Sequence, residues 1–203
     1  MAINLQKGQK IDLSKGSEGL AHIMVGLGWD EVERSSGGFF GLFKSSEPEE
    51  IDCDASVVVC DVAGKIMQSE DGLIFYNHLR HSSGAIIHQG DNLTGGGDGD
   101  DEQIFVDLKK MPSEIHKLVF VVNIYDANVK KQHFGMVKNA FIRLVDTDKK
   151  LEICRFNLSD NYDGMTGLVV GEIYKYNGQW KFNAIGQPIR EASRITTFVN
   201  MYS

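Results

Sequence analysis

The sequence has few of the residues that cross-link or stiffen a chain, with three cysteines and three prolines among its 203 residues. An odd number of cysteines without a CxxC spacing argues against both a disulfide framework and a zinc knuckle. We interpret Cys53, Cys60 and Cys154 as small buried hydrophobic residues in a reducing compartment. The protein is therefore expected to be cytoplasmic.

Long apolar runs and an excess of basic residues are also missing. No apolar segment approaches the roughly 20 residues that span a bilayer, and the first residues lack the pattern of a signal peptide. The 28 acidic residues outnumber the 21 lysines and arginines, which gives a formal charge of -7. A nucleic-acid binder needs a basic face to replace the counterions of the phosphates, so this balance favours cations or basic partners instead.

The sequence does contain a series of short strand patterns. The apolar run 118–125 is rich in strand formers and predicts a central strand that is covered on both faces. Asn177-Gly178 separates two strand patterns and supplies the two positive φ angles of a type I′ hairpin turn. Further strands are predicted from Ile51 and over 140–145 and 151–156, and short helices are possible at 113–116 and 126–138.

Many short strands joined by turns predict a mostly β fold, a β-sandwich of two packed sheets with a few short helices. At 42% hydrophobic residues the chain can bury a sizeable core, and its length favours a single domain over residues 1–203. Residues 35–50, which include the apolar run Phe39–Phe43, mix glycine, serine and acids and are predicted to be a surface loop. Exposure of that apolar run as a contact for a partner or a lipid surface is the alternative.

The most unusual segment of the sequence is an acidic, glycine-rich stretch from Gly90 to Glu102 with five carboxylates and no lysine or arginine. Closely packed carboxylates repel, so a folded loop of this kind needs a cation. Ca²⁺ accepts 6–8 oxygen ligands at roughly 2.3–2.6 Å in a tolerant geometry, and glycine allows backbone carbonyls to turn inward. The predicted oxygen donors are Asp91, Asn92, Thr94, Asp98, Asp100, Asp101 and Glu102.

Known loop motifs fit this stretch poorly. An EF-hand that started at Asp98 would need glycine and glutamate where Gln103 and Lys109 stand. The calcium nonapeptide is nearly matched by 96–101 but occurs once, whereas its fold needs stacked copies. A phosphate-binding loop is contradicted by the acids and by the missing Gly-Lys-Ser/Thr. A solvated acidic loop without a ligand stays open as an alternative.

A second group of acids lies at the start of the strand that is predicted from Ile51. The strand period of two places Asp52, Asp54 and Ser56 on one face and Cys53 on the other. Two carboxylates on neighbouring positions of one face are a usable cation site, and a polar sandwich exterior is the alternative. Asn77 is a weaker oxygen donor of the same kind.

Several motifs together resemble the TerD family of tellurite-resistance and stress proteins, in the family's order and over nearly the whole chain. These motifs are 26–30, 52–56, 74–77, 90–102, 141–144, 171–174 and 180–187. The resemblance implies a β-sandwich that holds two calcium ions close together, no established enzymatic activity, and action beside other Ter-system proteins, including an integral membrane TerC-type protein.

The resemblance also assigns roles to individual residues. It places the acids of 91–102 in the family's calcium loop, Asp52 and Asp54 in its Asp-Leu-Asp-Ala-Ser strand, and Asn77 at the end of its Phe-Tyr-Asn motif. The chain departs from the family's pattern at two places. It has a longer insert around 39–50, and its tail after Gln187 lacks the usual Gly-Tyr-x-Gly-Gly segment. Both departures concern partner contacts rather than the metal site.

We therefore predict a calcium-binding, non-enzymatic module that presents a calcium-ordered acidic surface to partner proteins. His78 and His81 form an HxxH without the glutamate of HExxH, and no GxSxG motif occurs. A calcium-dependent hydrolase that uses the same carboxylates is the alternative, because a bound metal can activate water. A third hypothesis, direct binding of a metalloid through the three thiols, follows from the affinity of thiolates for soft ions.

Overall fold

The computed structural model describes residues 2–14, 19–31, 51–90, 99–158 and 160–203. The predicted surface loop 35–50, with Phe39–Phe43, lies outside the described residues. So do four predicted metal ligands, namely Asp91, Asn92, Thr94 and Asp98.

Most of the described chain is β-strand. The strands are β1 (Ile3–Leu5), β2 (Lys10–Asp12), β3 (His22–Glu31), β4 (Cys53–Cys60), β5 (Leu73–Ile74), β6 (Ile86–His88), β7 (Glu102–Asp107), β8 (Lys117–Ile124), β9 (Val137–Asp146), β10 (Leu151–Asn157), β11 (Gly167–Tyr176) and β12 (Gln179–Ile189). The helices are α1 (Ala127–Lys130) and α2 (Thr196–Met201), with 3₁₀ turns at Glu70–Gly72 and Phe134–Met136.

Two sheets of six strands form the sandwich. The first sheet has the order β1-β10-β9-β3-β7-β6, and the second sheet has the order β2-β12-β11-β8-β4-β5. The predicted β-sandwich with a few short helices is thereby confirmed. Strand β4 lies next to the edge of the second sheet, where its neighbour β5 pairs only with Val57 and Val58. The first half of β4 is consequently without a β5 partner on that side.

Local sequence patterns account for several elements. The apolar run 118–124 forms β8, which lies between β4 and β11 and is buried on both faces, as predicted. The hairpin of β11 and β12 is also confirmed, with φ of 51° at Asn177 and 75° at Gly178. The helix considered at 113–116 is wrong, because residues 113 and 114 form a turn that leads into β8.

The core lies between the sheets and extends onto one outer face. Side chains such as Phe120, Phe182 and Ile104 are fully buried between the two sheets. A smaller apolar cluster covers the outer face of the second sheet, where Phe198 of α2 packs over Val121 and its neighbours. The C-terminal segment therefore shields one half of that sheet from water.

Candidate metal centre

Two side chains take the place of a neighbouring strand along the first half of β4. The carboxylate of Glu102 accepts a hydrogen bond from the backbone N–H of Ala55 at 2.8 Å. Nε2 of His88 lies 3.1 Å from the Ala55 carbonyl oxygen and 3.3 Å from Oε2 of Glu102. Because Glu102 and His88 belong to the first sheet and Ala55 to the second, these contacts join the two sheets at one corner.

The tautomer of His88 follows from the hydrogen bond at its Nδ1. Nδ1 accepts a hydrogen bond from the backbone N–H of Gly90 at 3.0 Å, so the proton of the neutral ring is on Nε2. Nε2 then donates towards Ala55 and Glu102. Since Gly90 is the residue before Asp91, this hydrogen bond fixes the point at which the acidic stretch begins.

Strand β4 presents its alternate side chains as the strand period predicts. Cys53 and Ala55 face the core between the sheets, whereas Asp54 and Ser56 lie on the other face and are nonetheless buried. Asp54 is paired in register with Asn123 of β8, whose Nδ2 lies 3.4 Å from its Oδ2. The prediction that Cys53 points inward is therefore confirmed.

The charges of four carboxylates act on the Cys53 thiol. Burial raises the pKa of Cys53 well above its ordinary value, and the charges of Glu102, Asp52, Asp54 and Asp101 raise it further, in this order. Two of these acids come from β4 and its lead-in and two from the start of β7 and the residue before it. We call this group, Asp52, Asp54, Asp101 and Glu102, the acidic corner.

Asp101 of the acidic corner is held against β3 by the backbone of Trp29. Its Oδ2 accepts a hydrogen bond from the backbone N–H of Trp29 at 2.7 Å. Burial nevertheless raises the pKa of Asp101 above its ordinary value, and the nearby carboxylates of Asp30 and Asp100 act in the same direction. A cation at this position would relieve the repulsion.

Asp100 is bound elsewhere, on the outer face of the first sheet. Its two carboxylate oxygens lie 2.7 and 2.9 Å from Nε and Nη2 of Arg143, and its side chain is fully buried. The carboxylate lies over Gly26 of β3, where an added Cβ would come within 2.3 Å of it. Only glycine at position 26 leaves room for this pair, which anchors the residue before Asp101.

The predicted ligands thus separate into groups. Asp52, Asp54, Asp101 and Glu102 all lie within electrostatic reach of Cys53, whereas Asp100 is paired with Arg143. Asn77 lies exposed in a tight turn between Phe75 and His78. Among the described residues, no three histidine, cysteine, aspartate or glutamate side chains form a group that could hold a metal ion. Any complete ligand set therefore needs other donors, such as amide oxygens, backbone carbonyls or the residues of 91–98.

Sequence reasoning missed His88, Arg143 and Asn123. His88 was one of six scattered histidines, and Arg143 and Asn123 stand inside ordinary strand patterns. The contacts of all three join residues 33 or more positions apart in the chain. A local pattern therefore carried no signal for them.

The three cysteines are free and buried. Burial raises the pKa of both Cys60 and Cys154 to about 12, so their thiolate fraction near pH 8 is only about 10⁻⁴. We expect no reaction of the native protein with a thiol reagent such as DTNB and release of three equivalents in denaturant. Rapid release of one equivalent from the native protein would contradict the burial of the thiols and revive metalloid binding through them.

The two sheets and the contacts of Glu102 and His88 with Ala55 define a class of protein, a β-sandwich whose sheets are joined at an acidic corner. A family model described as TerD domain matches residues 1–202, and the chain belongs to the TerD family. It is 50% identical over 202 residues to stress response protein SCP2 of Bacillus subtilis (strain 168), covering 100% of both chains. It is 41% identical over 187 residues to tellurium resistance protein TerD of Serratia marcescens, covering 92% of this chain and 91% of the relative.

Solved structures support the fold. A crystal structure of a protein of unknown function matches with a TM-score of 0.68 at 19% identity, covering 90% of this chain and 96% of the other. A homologue of telluride resistance protein (TerD) from Streptomyces coelicolor A3(2) matches with a TM-score of 0.66 at 18% identity, covering 91% and 99%. At these identities the likeness concerns the arrangement of strands.

The names of these relatives refer to stress response and tellurium resistance, and neither the family model nor these names indicates catalysis. The absence of enzymatic activity in this chain stays a prediction, and the hydrolase alternative gains no support. Within the described part of the chain, no helix is long and apolar enough to cross a membrane.

Proposed function

We propose that the acidic corner binds calcium, and that bound calcium orders a surface to which partner proteins dock. The observation that carries this proposal is the contact of Glu102 with the backbone of Ala55, the residue between Asp54 and Ser56. That contact brings the end of the acidic stretch from the first sheet against the acidic strand of the second sheet. Carboxylates from both parts of the sequence thus converge.

The chemistry of the donors fits calcium. Carboxylate oxygens are hard ligands, which suit Ca²⁺ better than the soft ions that thiols prefer. The four acids all act on Cys53, and the charge of the half-buried Asp101 carboxylate is disfavoured by partial burial and by the carboxylates of Asp30 and Asp100. Residues Asp91, Asn92, Thr94 and Asp98 are predicted to supply further oxygens, and two ions stay the predicted stoichiometry. A calcium ion there would neutralise charge and hold the two sheets together at this corner.

The affinity expected for such a site is that of calcium sensors, ~10⁻⁷–10⁻⁵ M. At a hundredfold excess over Kd, each site that exists only in the folded protein adds about 2.7 kcal/mol of stability. A calorimetric titration gives the affinity and the stoichiometry directly. Equal melting temperatures in calcium and in chelator, together with no heat of binding, would refute the proposal.

Asp101→Asn is expected to change stability in opposite directions with and without calcium. The pKa of Asp101 is raised in the folded protein, so its contribution to stability is full below the unfolded pKa and is lost as pH rises through the folded pKa. Asparagine removes the charge at neutral pH and keeps an acceptor for the N–H of Trp29. In chelator, the melting temperature of the variant should equal or exceed that of wild type, whereas the upward shift on adding calcium should be largely lost.

Asp160→Asn is the matched control for this experiment. It removes the same charge from a side chain that is 56% exposed, beside Lys7 at the far edge of the first sheet. The melting temperatures of Asp160→Asn should equal those of wild type both in calcium and in chelator. A calcium-induced shift in Asp101→Asn as large as in wild type would remove Asp101 from the site.

The partners and the physiological role follow from the relatives rather than from the geometry. Because the chain is similar to a stress response protein and to a tellurium resistance protein, we place its action in a bacterial stress response. The expected partners are other Ter-system proteins, with a TerC-type protein as the link to the membrane. Co-purification with such a partner in calcium, lost in chelator, is the result that supports a calcium-dependent docking surface. Equal recovery in both conditions would contradict it.

A further inference from the structure

The acidic strand β4 is accompanied by a buried carboxamide that the sequence patterns did not single out. Asn123 of β8 stands directly opposite Asp54 on the outer face of the second sheet and is 2% exposed. Its Nδ2 reaches Oδ2 of Asp54 at 3.4 Å, at the long end of the hydrogen-bond range. Its Oδ1 is buried and accepts no hydrogen bond from any described residue.

A buried oxygen such as Oδ1 of Asn123 is stabilised when a hydrogen-bond donor or a cation lies next to it. Buried polar atoms are nearly always satisfied, because an unmet acceptor loses its water without compensation. Here the oxygen without a partner lies beside a buried carboxylate. The carboxylate charge and the amide dipole together make the local electrostatic potential negative. An amide oxygen is also one of the neutral ligands that calcium takes alongside carboxylates.

The same sheet face offers a comparison, at Asn183 and Glu172. Nδ2 of Asn183 donates to Oε1 of Glu172 at 3.0 Å, and its Oδ1 is likewise buried without a partner among the described residues. In that pair the cation is part of the chain, since Nζ of Lys117 lies 3.0 Å from Oε2 of Glu172. In this second pair the positive charge lies against the carboxylate alone, and the asparagine oxygen has no cation beside it in the described part of the chain.

We propose that Asn123 is a ligand of the cation bound at Asp54, with its side-chain oxygen as a neutral donor beside the carboxylate. This inference rests on the proposed calcium function and adds a ligand from β8, a strand that contributes none of the predicted ones. It also places part of the site on the outer face of the second sheet. There Asn123 pairs in register with Gly167 of β11, and the side chains of Ala192 and Phe198 lie over Gly167. The C-terminal segment then covers one side of the bound ion.

The test is a calorimetric calcium titration of three variants beside wild type, with a melting curve of each in calcium and in chelator. Asn123→Leu removes the oxygen and keeps the branched shape and the number of side-chain heavy atoms. It is expected to weaken calcium binding by about tenfold or more, since loss of a residue that only supports a metal ligand already costs about that much. Asn123→Asp keeps the oxygen and adds charge. It should bind calcium at least as tightly as wild type while melting lower in chelator, because it faces Asp54.

Asn183→Leu is the matched control, since it removes a half-buried carboxamide, whose Oδ1 is likewise buried, beside a carboxylate that keeps Lys117. Its calcium affinity should equal that of wild type. If wild type binds calcium and Asn123→Leu binds equally well, Asn123 is not a ligand while the proposed function stands. If Asn123→Leu does not fold, the decision falls to Asn123→Asp, whose weaker binding would overturn the inference. Absence of binding in wild type itself would remove the proposed function and this inference together.

Discussion

Replacing Arg143 with methionine is expected to lower the free energy of unfolding by about 3–5 kcal/mol. Arg143 holds both oxygens of the fully buried Asp100 carboxylate at 2.7 and 2.9 Å. Without it, Asp100 keeps the contact with Gln103 at 3.3 Å, while Glu152 keeps Arg155 at 3.2 Å. The large effect arises because breaking a buried pair leaves an uncompensated charge, which costs more than the pair itself contributes.

Urea unfolding in chelator measures this loss without a contribution from metal. Asp100→Asn and the double variant Asp100→Asn/Arg143→Met complete a double-mutant cycle. The double variant should be more stable than Arg143→Met alone, because the stranded charge has been removed. A loss below 1 kcal/mol for Arg143→Met would mean that the buried pair is not formed in solution.

Gly26→Ala tests the same pair from the opposite side. An alanine Cβ at position 26 would lie 2.3 Å from the carboxylate of Asp100, well inside van der Waals contact. The carboxylate would have to leave its place over β3, so the variant should lose stability comparably to Arg143→Met. Gly178→Ala is an unsuitable comparison because of its positive φ, whereas Ala140→Gly on the neighbouring β9 measures the general effect of glycine in this sheet.

Phe198→Ala is expected to cost about 3–5 kcal/mol, the range for deleting a buried aromatic side chain. Phe198 is fully buried between α2 and the outer face of the second sheet, close above Gly167. The backbone N–H of Ile66 also bonds the carbonyl of Tyr202 at 2.6 Å, so the end of the chain is held at two points. Removal of the ring leaves a cavity over apolar side chains that the segment normally covers.

The measurement is again urea unfolding, with Val129→Ala as the control because Val129 is 80% exposed on α1. That control should change the free energy of unfolding by less than about 0.5 kcal/mol. A similarly small change for Phe198→Ala would show that α2 does not pack on the sheet in solution. Increased protease cleavage after residue 190 in Phe198→Ala would localise the damage to the C-terminal segment.

Much of the fold could be predicted because its signals are local. The continuous apolar run of β8 and the Asn177-Gly178 turn each specify an element from a few neighbouring residues, through burial and backbone conformation. The helix considered at 113–116 failed because four residues offer no periodicity with which to tell a turn from a helix. Alternation along β4 likewise predicted which side chains face the core.

The candidate site could be predicted only in part. Composition alone marked the acidic stretch, because unbalanced carboxylates are visible without coordinates. The different contacts that the acids of this stretch make could not be predicted, since each contact depends on which residue lies opposite in the fold. Asp100 and Glu102 are two positions apart, yet one binds Arg143 on an outer face and the other binds Ala55 at the edge of β4.

Strand period, turn chemistry and charge are properties of adjacent residues, so a β-sandwich with an acidic, glycine-rich stretch could be predicted before any coordinates. Which partner each acid of that stretch finds depends on packing in three dimensions. The gap that the short β5 leaves beside β4 admits Glu102 and His88, and the missing side chain at Gly26 admits Asp100. Both are consequences of packing between strands far apart in the chain, where space and unpaired backbone groups, rather than local pattern, select the partner.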